Sequence, residues 1–166
     1  LVEALGEFAD TKQAINERLA LRLNFSRPFD MGLFVEGEKA DEALGFLITQ
    51  IEKQSGKNLK NPSLRQLNCV IANLYKQNKR NPRLWTRLKL RNTKAIPERY
   101  NPSGVSSETL RNLINYLRQL EYIHFVRGSN VREDKTYDSH LPRIVADDKL
   151  IELLEVQFDW DTSLLR

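Results

Sequence analysis

Apolar and polar positions alternate along this chain with two different periods. Val2, Leu5 and Phe8, then Ile15 and Leu19 behind a capping Asp10, recur at helical spacing and predict one or two helices over residues 2–22. Residues 24–39 lose that period. They hold Pro28, Gly32 and Gly37 among Phe25, Phe29, Leu33 and Phe34, a composition that predicts an extended connector packing its aromatics without regular helix. Helical spacing returns over residues 39–55, where Ala43, Leu44, Leu47, Ile48 and Ile51 share a face and Gly56 supplies a stop. Pro62 and Ser63 open the next run, in which Leu64, Leu67, Ile71 and Leu74 predict an amphipathic helix ending near Gln77. The polar stretch 79–82 breaks it. Residues 84–90 (LWTRLKL) alternate as a short strand or edge-packed wall does, with a helical reading open beside it. Residues 96–104 (IPERYNPSG) contain two prolines and a glycine and predict a turn-rich connector.

The following helix is the most informative element. Val105-Ser106-Ser107-Glu108 offers hydroxyl caps, and Leu110, Leu113, Ile114, Leu117 and Leu120 then build one wholly aliphatic side. At about 100° per residue the opposite side carries Glu108, Arg111, Asn112, Asn115, Arg118 and Gln119, a row able to hydrogen-bond base edges and phosphates. The period then drops to two. Residues 122–127 (YIHFVR) predict a strand, Gly128-Ser129-Asn130 a turn, 131–135 a charged loop, and 136–145 a returning strand that Pro142 confines to an edge or bulge. Ala146-Asp147-Asp148 starts a short helix with Leu150, Ile151, Leu153 and Leu154, acidic at its amino end as the helix dipole prefers. Residues 158–166 have no clear period, and the chain shows neither internal repeat nor low-complexity tract.

A length of 166 residues with 40% hydrophobic and 29% charged positions fits one domain of ordinary size, with or without a helical extension, and excludes a wholly disordered chain. No window approaches eighteen consecutive apolar residues, and residues 1–10 hold neither basic leader nor small-residue cleavage site. The expectation is therefore a cytoplasmic protein with no membrane partner. Leu1 in place of methionine adds the expectation of a longer parent polypeptide, with further domains or a protein partner. One cysteine and two histidines offer no internal disulfide and no recognisable zinc site, so no metal and no cofactor are expected.

Charge changes the picture more than composition does. The net +4 conceals a basic middle, because residues 56–135 carry 17 Lys and Arg against 5 Asp and Glu. That block alone is +12, and the flanks on either side are each −4. Such a block makes a positive field that recruits a polyanion, most commonly nucleic acid, the bland alternative being a solvated basic face.

On the helix over residues 107–121, Arg111, Asn112 and Asn115 are the candidates for base edges, with Arg118 further along the row and Ser106 or Ser107 on a phosphate at the helix terminus. Arg127, Arg132 and Lys135 are the candidate contacts of the basic loop. A second cluster over residues 78–94 (Lys79, Arg80, Arg83, Arg87, Lys89, Arg91 and Lys94 around Trp85) reads as a phosphate-tracking surface. Trp85 is either a stacking platform for an unpaired base or, the favoured alternative, a core or edge anchor. Arg99 and Tyr100 are further candidates for the nucleic-acid backbone. His124 and His140, with Asp138 nearby, raise a general base or a metal site. With no HExxH, GxSxG or GxxxxGK pattern, the expectation is a protein without enzymatic activity. Cys69, between apolar neighbours, reads as a small core residue.

Residues 64–154 resemble winged helix-turn-helix domains of the bacterial regulator and replication-initiator type. The phrase GVSSETLRNLINYLRQLEYIHFVRG (104–128) is similar to the form in which a hydroxyl-capped reading helix ends in leucine, reaches an aromatic-Ile pair and enters the wing. A more usual version has glycine where Glu121 stands. RNTKAIPERYNPSGVS (91–106) and LPRIVADDKLIELLE (141–155) look like segments in the amino-terminal region of replication-associated proteins from plasmids and mobile elements. The resemblance implies site-specific or structure-specific binding of double-stranded DNA in replication initiation, or in transcription regulation by the same module, often as a homodimer on symmetric half-sites. The fold expected is mainly α with a small antiparallel β wing. Its parts are a helical extension over 1–60 that dimerises or covers, a winged-helix DNA-binding domain over 61–156, and a tail over 157–166. The rival reading is a protein-interaction winged-helix module in a larger assembly. A nuclease is a remote third.

Overall fold

A computed structural model of the chain describes residues 26–88, 107–126 and 142–166. Over these residues the protein is α+β and mostly helical, with four helices and one small four-stranded sheet. In chain order the elements are β1 (Ser26–Pro28), α1 (Glu38–Ser55), α2 (Asn61–Arg80), β2 (Trp85–Arg87), α3 (Ser107–Gln119), β3 (Ile123–Val126), β4 (Arg143–Ala146) and α4 (Asp148–Glu152). A π-helical turn at Leu153–Gln157 extends α4, and a 3-10 turn at Thr162–Leu164 follows.

The helical period places α1 as expected, with Ala40, Ala43, Leu44, Leu47 and Ile51 buried along one side. Glu38 and Asp41 in its first turn and Lys53 in its last complement the dipole. Gly56 ends it in the left-handed conformation at φ 71°, its N–H bonded to the Glu52 carbonyl. Pro62 sits in the first turn of α2, where its missing N–H costs nothing. This helix runs to Arg80, three residues past the expected end at Gln77. Lys79 and Arg80 are good helix formers placed at the favourable end of the dipole, so a polar stretch alone did not break it. From Gln66 to Asn78 all but two residues of α2 are buried, which makes it the central rod of the fold.

Leu110, Leu113, Ile114 and Leu117 bury the aliphatic side of α3 as the pattern predicted. Its exit explains the unusual Glu121. That residue adopts φ 65°, with its N–H on the Arg118 carbonyl at 2.9 Å and the Tyr122 N–H on the Leu117 carbonyl at 3.0 Å. This pair of bonds is the helix-ending motif in which glycine is the usual left-handed residue. Glu121 bears the steric cost of that conformation and adds a negative charge at the negative end of the dipole. Glu121→Gly is therefore expected to raise stability by about 1 kcal/mol, read as a higher urea midpoint at unchanged m-value.

The sheet corrects one expectation. A small antiparallel pair was expected and β3 and β4 do pair antiparallel, but they belong to a larger sheet whose strands run in the order β1-β2-β4-β3, with β1 parallel to β2. The extra strand comes from the segment read as an irregular connector. Ser26 to Pro28 has no strand-forming pattern of its own and becomes a strand by pairing with β2, where Ser26 lies opposite Trp85 and the Phe29 N–H bonds the Arg87 carbonyl at 3.0 Å. Pro28 is tolerated because β1 is an edge.

Side-chain alternation gives the sheet two faces. Leu88, Ile123, Phe125, Ile144 and Ala146 face α2 and α3 and join the main core. Trp85, Val126 and Val145 pack together on the other face. The main core also takes in Leu47 of α1, Leu67, Ile71 and Tyr75 of α2, Leu117 of α3, Leu150 of α4 and Trp160 beyond it. Residues 157–166 are anchored without periodicity. Val35 pairs with Leu165, the Glu36 N–H bonds the Leu164 carbonyl at 3.0 Å, and the Arg166 N–H bonds the Phe34 carbonyl at 2.9 Å. No described helix is long and apolar enough to cross a membrane.

Candidate nucleic-acid interface

The amphipathic split of α3 sets the geometry of the candidate site. With the leucines turned inward, Arg111, Asn112, Asn115 and Arg118 are all exposed on the other side. The carboxyl-terminal end of that row is tied to its surroundings. The Arg118 guanidinium lies 5.0 Å above the Phe125 ring of β3, and Gln119 accepts a 2.7 Å hydrogen bond from the Gln54 side chain of α1. Arg111 and Asn112 sit in the amino-terminal half of α3, and Asn115 lies just past its middle. Ser107 is the first residue of α3, while Ser106 lies outside the described residues.

Beside α3, β3 and β4 pair antiparallel in the register Ile123 to Ala146 through Val126 to Arg143. They are the two strands predicted on either side of the basic loop. Arg127, Arg132 and Lys135 of that loop lie outside the described residues, as do His140 and Asp138.

The second basic cluster is placed in part. Arg83 is exposed in the turn after α2, its N–H on the Asn81 side chain at 2.9 Å, and Arg87 is partly buried on β2. Arg91, Lys89, Lys94, Arg99 and Tyr100 fall outside the described residues. Lys79 is engaged elsewhere, its ammonium 2.6 Å from Glu155 and 5.7 Å above the Tyr75 ring. Of the two readings of Trp85, the stacking platform is corrected. The indole is 2% exposed and packs on Val145 and Val126, so it is an anchor of the outer sheet face and not a surface for a base.

His124 has a structural partner. Its Nε2 is 2.7 Å from the Asp147 carboxylate, whose second oxygen accepts the Lys149 N–H and caps α4. Among the described residues no group of three or more His, Cys, Asp or Glu side chains is arranged to hold a metal ion. Cys69 is buried in α2 with its thiol 3.3 Å from the Asp30 carbonyl, and burial pushes the thiol up to about 12. A thiol of that kind is about one part in ten thousand thiolate at pH 8, against roughly one in five for an ordinary cysteine. Labelling of Cys69 by a maleimide is expected to run about a thousandfold slower in the folded protein than in urea, as timed by mass spectrometry.

Two features escaped the sequence reading. Asn68 and Asn73 on α2 hydrogen-bond the backbone of Val35 and Asp30, and their signal was an asparagine amid the apolar positions of a helix. Arg143 begins β4 buried at 3% exposure, and its signal was a lone cation before Ile144 and Val145. No protein-family model matches the chain, and comparison with curated proteins and with solved structures returned no match.

Proposed function

We propose that this protein binds double-stranded DNA, with α3 entering the major groove and the β3–β4 pair forming the root of a wing beside it. One observation carries the reading: α3 buries an aliphatic side and presents Arg111, Asn112 and Asn115 on the other, next to two antiparallel strands. A helix fits the major groove, arginine pairs with the guanine edge and asparagine with the adenine edge, so this row has the chemistry of direct readout. Further support is the order β2, α3, β3, β4 with β4 in the middle of those three strands, the layout of a winged helix-turn-helix. Arg83 and Arg87, with Ser106, Ser107, Arg91, Arg127, Arg132 and Lys135 assigned from sequence, are the phosphate contacts in this reading. The setting it fits is replication initiation by a plasmid or mobile element, with transcription regulation as the alternative use of the same module.

The test is a titration of fluorescent duplex DNA, single-stranded DNA and duplex RNA across a salt series. Duplex DNA is expected to bind tightest, with log affinity falling by about 0.9 per contacted phosphate for each decade of salt. Arg111→Ala with Asn115→Ala should weaken binding to duplex DNA by about a hundredfold. Weak and equal binding to all three probes would sink the reading, and the exposed row of α3 would then be read as a docking face for a protein partner.

A further inference from the structure

The turn between α1 and α2 breaks a charge rule that the other helices keep. α1, α3 and α4 each carry an acid in the first turn, as the helix dipole prefers, whereas α2 has none there. Residues 53–65 (KQSGKNLKNPSLR) hold Lys53, Lys57, Lys60 and Arg65 and no acidic residue, and all four are exposed. Elsewhere Lys39 is paired with Asp159, Lys79 with Glu155 and Arg166 with Glu36, and Lys149 donates to the Leu120 carbonyl. Among the described residues none of the four side chains in this run has such a partner. Glu52, the acid just before it, is partly buried, with its carboxylate on the Leu59 N–H at 2.8 Å. Solvent accommodates a cluster of this kind anywhere on a surface, so its place in the fold decides what it is for.

That place is the end of α3. Gln54, flanked in the chain by Lys53 and Lys57, donates to the Gln119 side chain at 2.7 Å, and one turn earlier Gln50 accepts from the Tyr122 hydroxyl. At helical spacing Gln119 falls opposite Leu110 and Leu117, and between Asn112 and Asn115 in angle. The end of α1 therefore stands level with the exposed side of α3, and the basic turn emerges beside the row of Arg111, Asn112 and Asn115 instead of behind it. The turn is well held. Gly56 takes the left-handed conformation, the Lys57 N–H bonds the Ser55 hydroxyl at 3.2 Å, and Leu59 packs against the core. Seven residues of helix separate Asn112 from Gln119, about 10 Å at a rise of about 1.5 Å each, and the major groove is about 12 Å wide. With the row of α3 in the groove, its last turn reaches the rim, where the phosphates run. We infer that Lys53, Lys57 and Lys60 form a second phosphate-contacting surface, which engages the DNA backbone at the carboxyl-terminal end of α3. Lysine is a compact point charge on a flexible stem, so these contacts add affinity without choosing a sequence. The inference rests on the proposed function and extends its footprint to a turn outside the winged-helix elements.

The experiment uses the full chain and compares the wild type with Lys57→Gln and Lys60→Gln combined, and with Lys39→Gln as a control that removes a charge at the far end of α1. Binding to two unrelated duplex DNA sequences is measured across a salt series, and urea unfolding checks the fold of each protein. The double variant is expected to reduce the magnitude of the salt slope by about two and to lose about tenfold or more in affinity at about 0.1 M salt, equally on both duplexes. Lys39→Gln should leave the slope as it is in the wild type. The urea midpoint of the double variant should match that of the wild type, because both side chains are exposed and make no ion pair among the described residues. Duplex binding by the wild type with an unchanged slope in the double variant would overturn the contact surface and leave the reading of α3 standing. An equal fall per charge removed in Lys39→Gln would also overturn it, since the effect would then belong to overall charge. No duplex binding by the wild type would remove both. If the double variant unfolds early, the two single variants decide, each with an expected fall in slope of about one.

Discussion

Trp160→Ala is expected to cost about 4 kcal/mol of stability, although residue 160 lies in a stretch with no hydrophobic period. The indole is 4% exposed and meets the Tyr75 ring edge-on, with centroids 5.3 Å apart and an interplanar angle of 86°. Its N–H donates to the Lys39 carbonyl at 2.9 Å, so one side chain fastens the carboxyl-terminal segment to both α1 and α2. Truncation empties a space ringed by aromatic and aliphatic side chains, and the loss of transfer free energy is joined by the cost of the cavity. Trp160→Phe keeps part of the ring contact and loses the hydrogen bond, for which about 1–2 kcal/mol is expected. Urea unfolding followed by the fluorescence of Trp85, the other tryptophan, measures both. A loss below about 1 kcal/mol for Trp160→Ala would show that residues 157–166 only lie on the core and do not complete it.

What the sequence showed and what it hid divide along physical lines. The faces of α1 and α3 were legible because a half-buried helix must repeat its apolar positions every three or four residues, as Leu110, Leu113, Ile114 and Leu117 do. The split of α3 exposed Arg111, Asn112 and Asn115 for the same reason. For α2 the period revealed only four leucines and isoleucines, because the helix is buried on nearly every side and includes Gln66, Asn73, Gln77 and Asn78 in its interior. A count of apolar positions cannot report a polar residue such as Asn73, which is buried with its amide hydrogen-bonded to the backbone. β1 was hidden because its pairing is supplied by β2, and Trp160 because a single anchor has no period. Glu121 was visible only as the residue standing where glycine is usual, and its left-handed backbone gives that oddity a measurable consequence. In the candidate site, the ties of Arg118 to Phe125 and of Gln119 to Gln54 are tertiary and left no mark in the local pattern. Arg143 was hidden because a cation next to a proline in a short strand reads as an edge residue, and only the register sets it against Arg87.

Asn73→Leu is expected to cost about 3 kcal/mol, although leucine resembles asparagine in shape and the site is wholly buried. The Asn73 amide behaves as a strand neighbour would. Its oxygen accepts the Asp30 N–H at 2.8 Å, and its nitrogen donates to the Asp30 carbonyl at 2.9 Å and to the Cys69 carbonyl at 2.8 Å. Asn68 repeats the arrangement at Val35, accepting its N–H at 2.8 Å and donating to its carbonyl at 3.0 Å. The two amides thus hold the backbone between β1 and α1 against α2 over a stretch that has no other regular pairing among the described residues except the bridge to Leu165. Leucine at 73 fills the space but leaves the Asp30 N–H without its partner and takes one bond from the Asp30 carbonyl, which keeps the Leu33 N–H and the Cys69 thiol. Asn68 is only partly buried and its groups reach water more easily, so Asn68→Leu should cost about half as much. Because both substitutions release the same segment, the double variant should lose less than the sum of the two. Hydrogen exchange at the Asp30 and Val35 amides separates release of the segment from general loss of stability, since those two should exchange faster while amides of α3 keep their protection. The Asp30 carbonyl also lies on the Cys69 thiol, so Asn73→Leu should speed maleimide labelling of Cys69 under conditions where the protein is still folded. Unchanged labelling alongside a loss of about 3 kcal/mol, the size expected, would mean that Asn73 stabilises α2 itself and does not hold the segment over it.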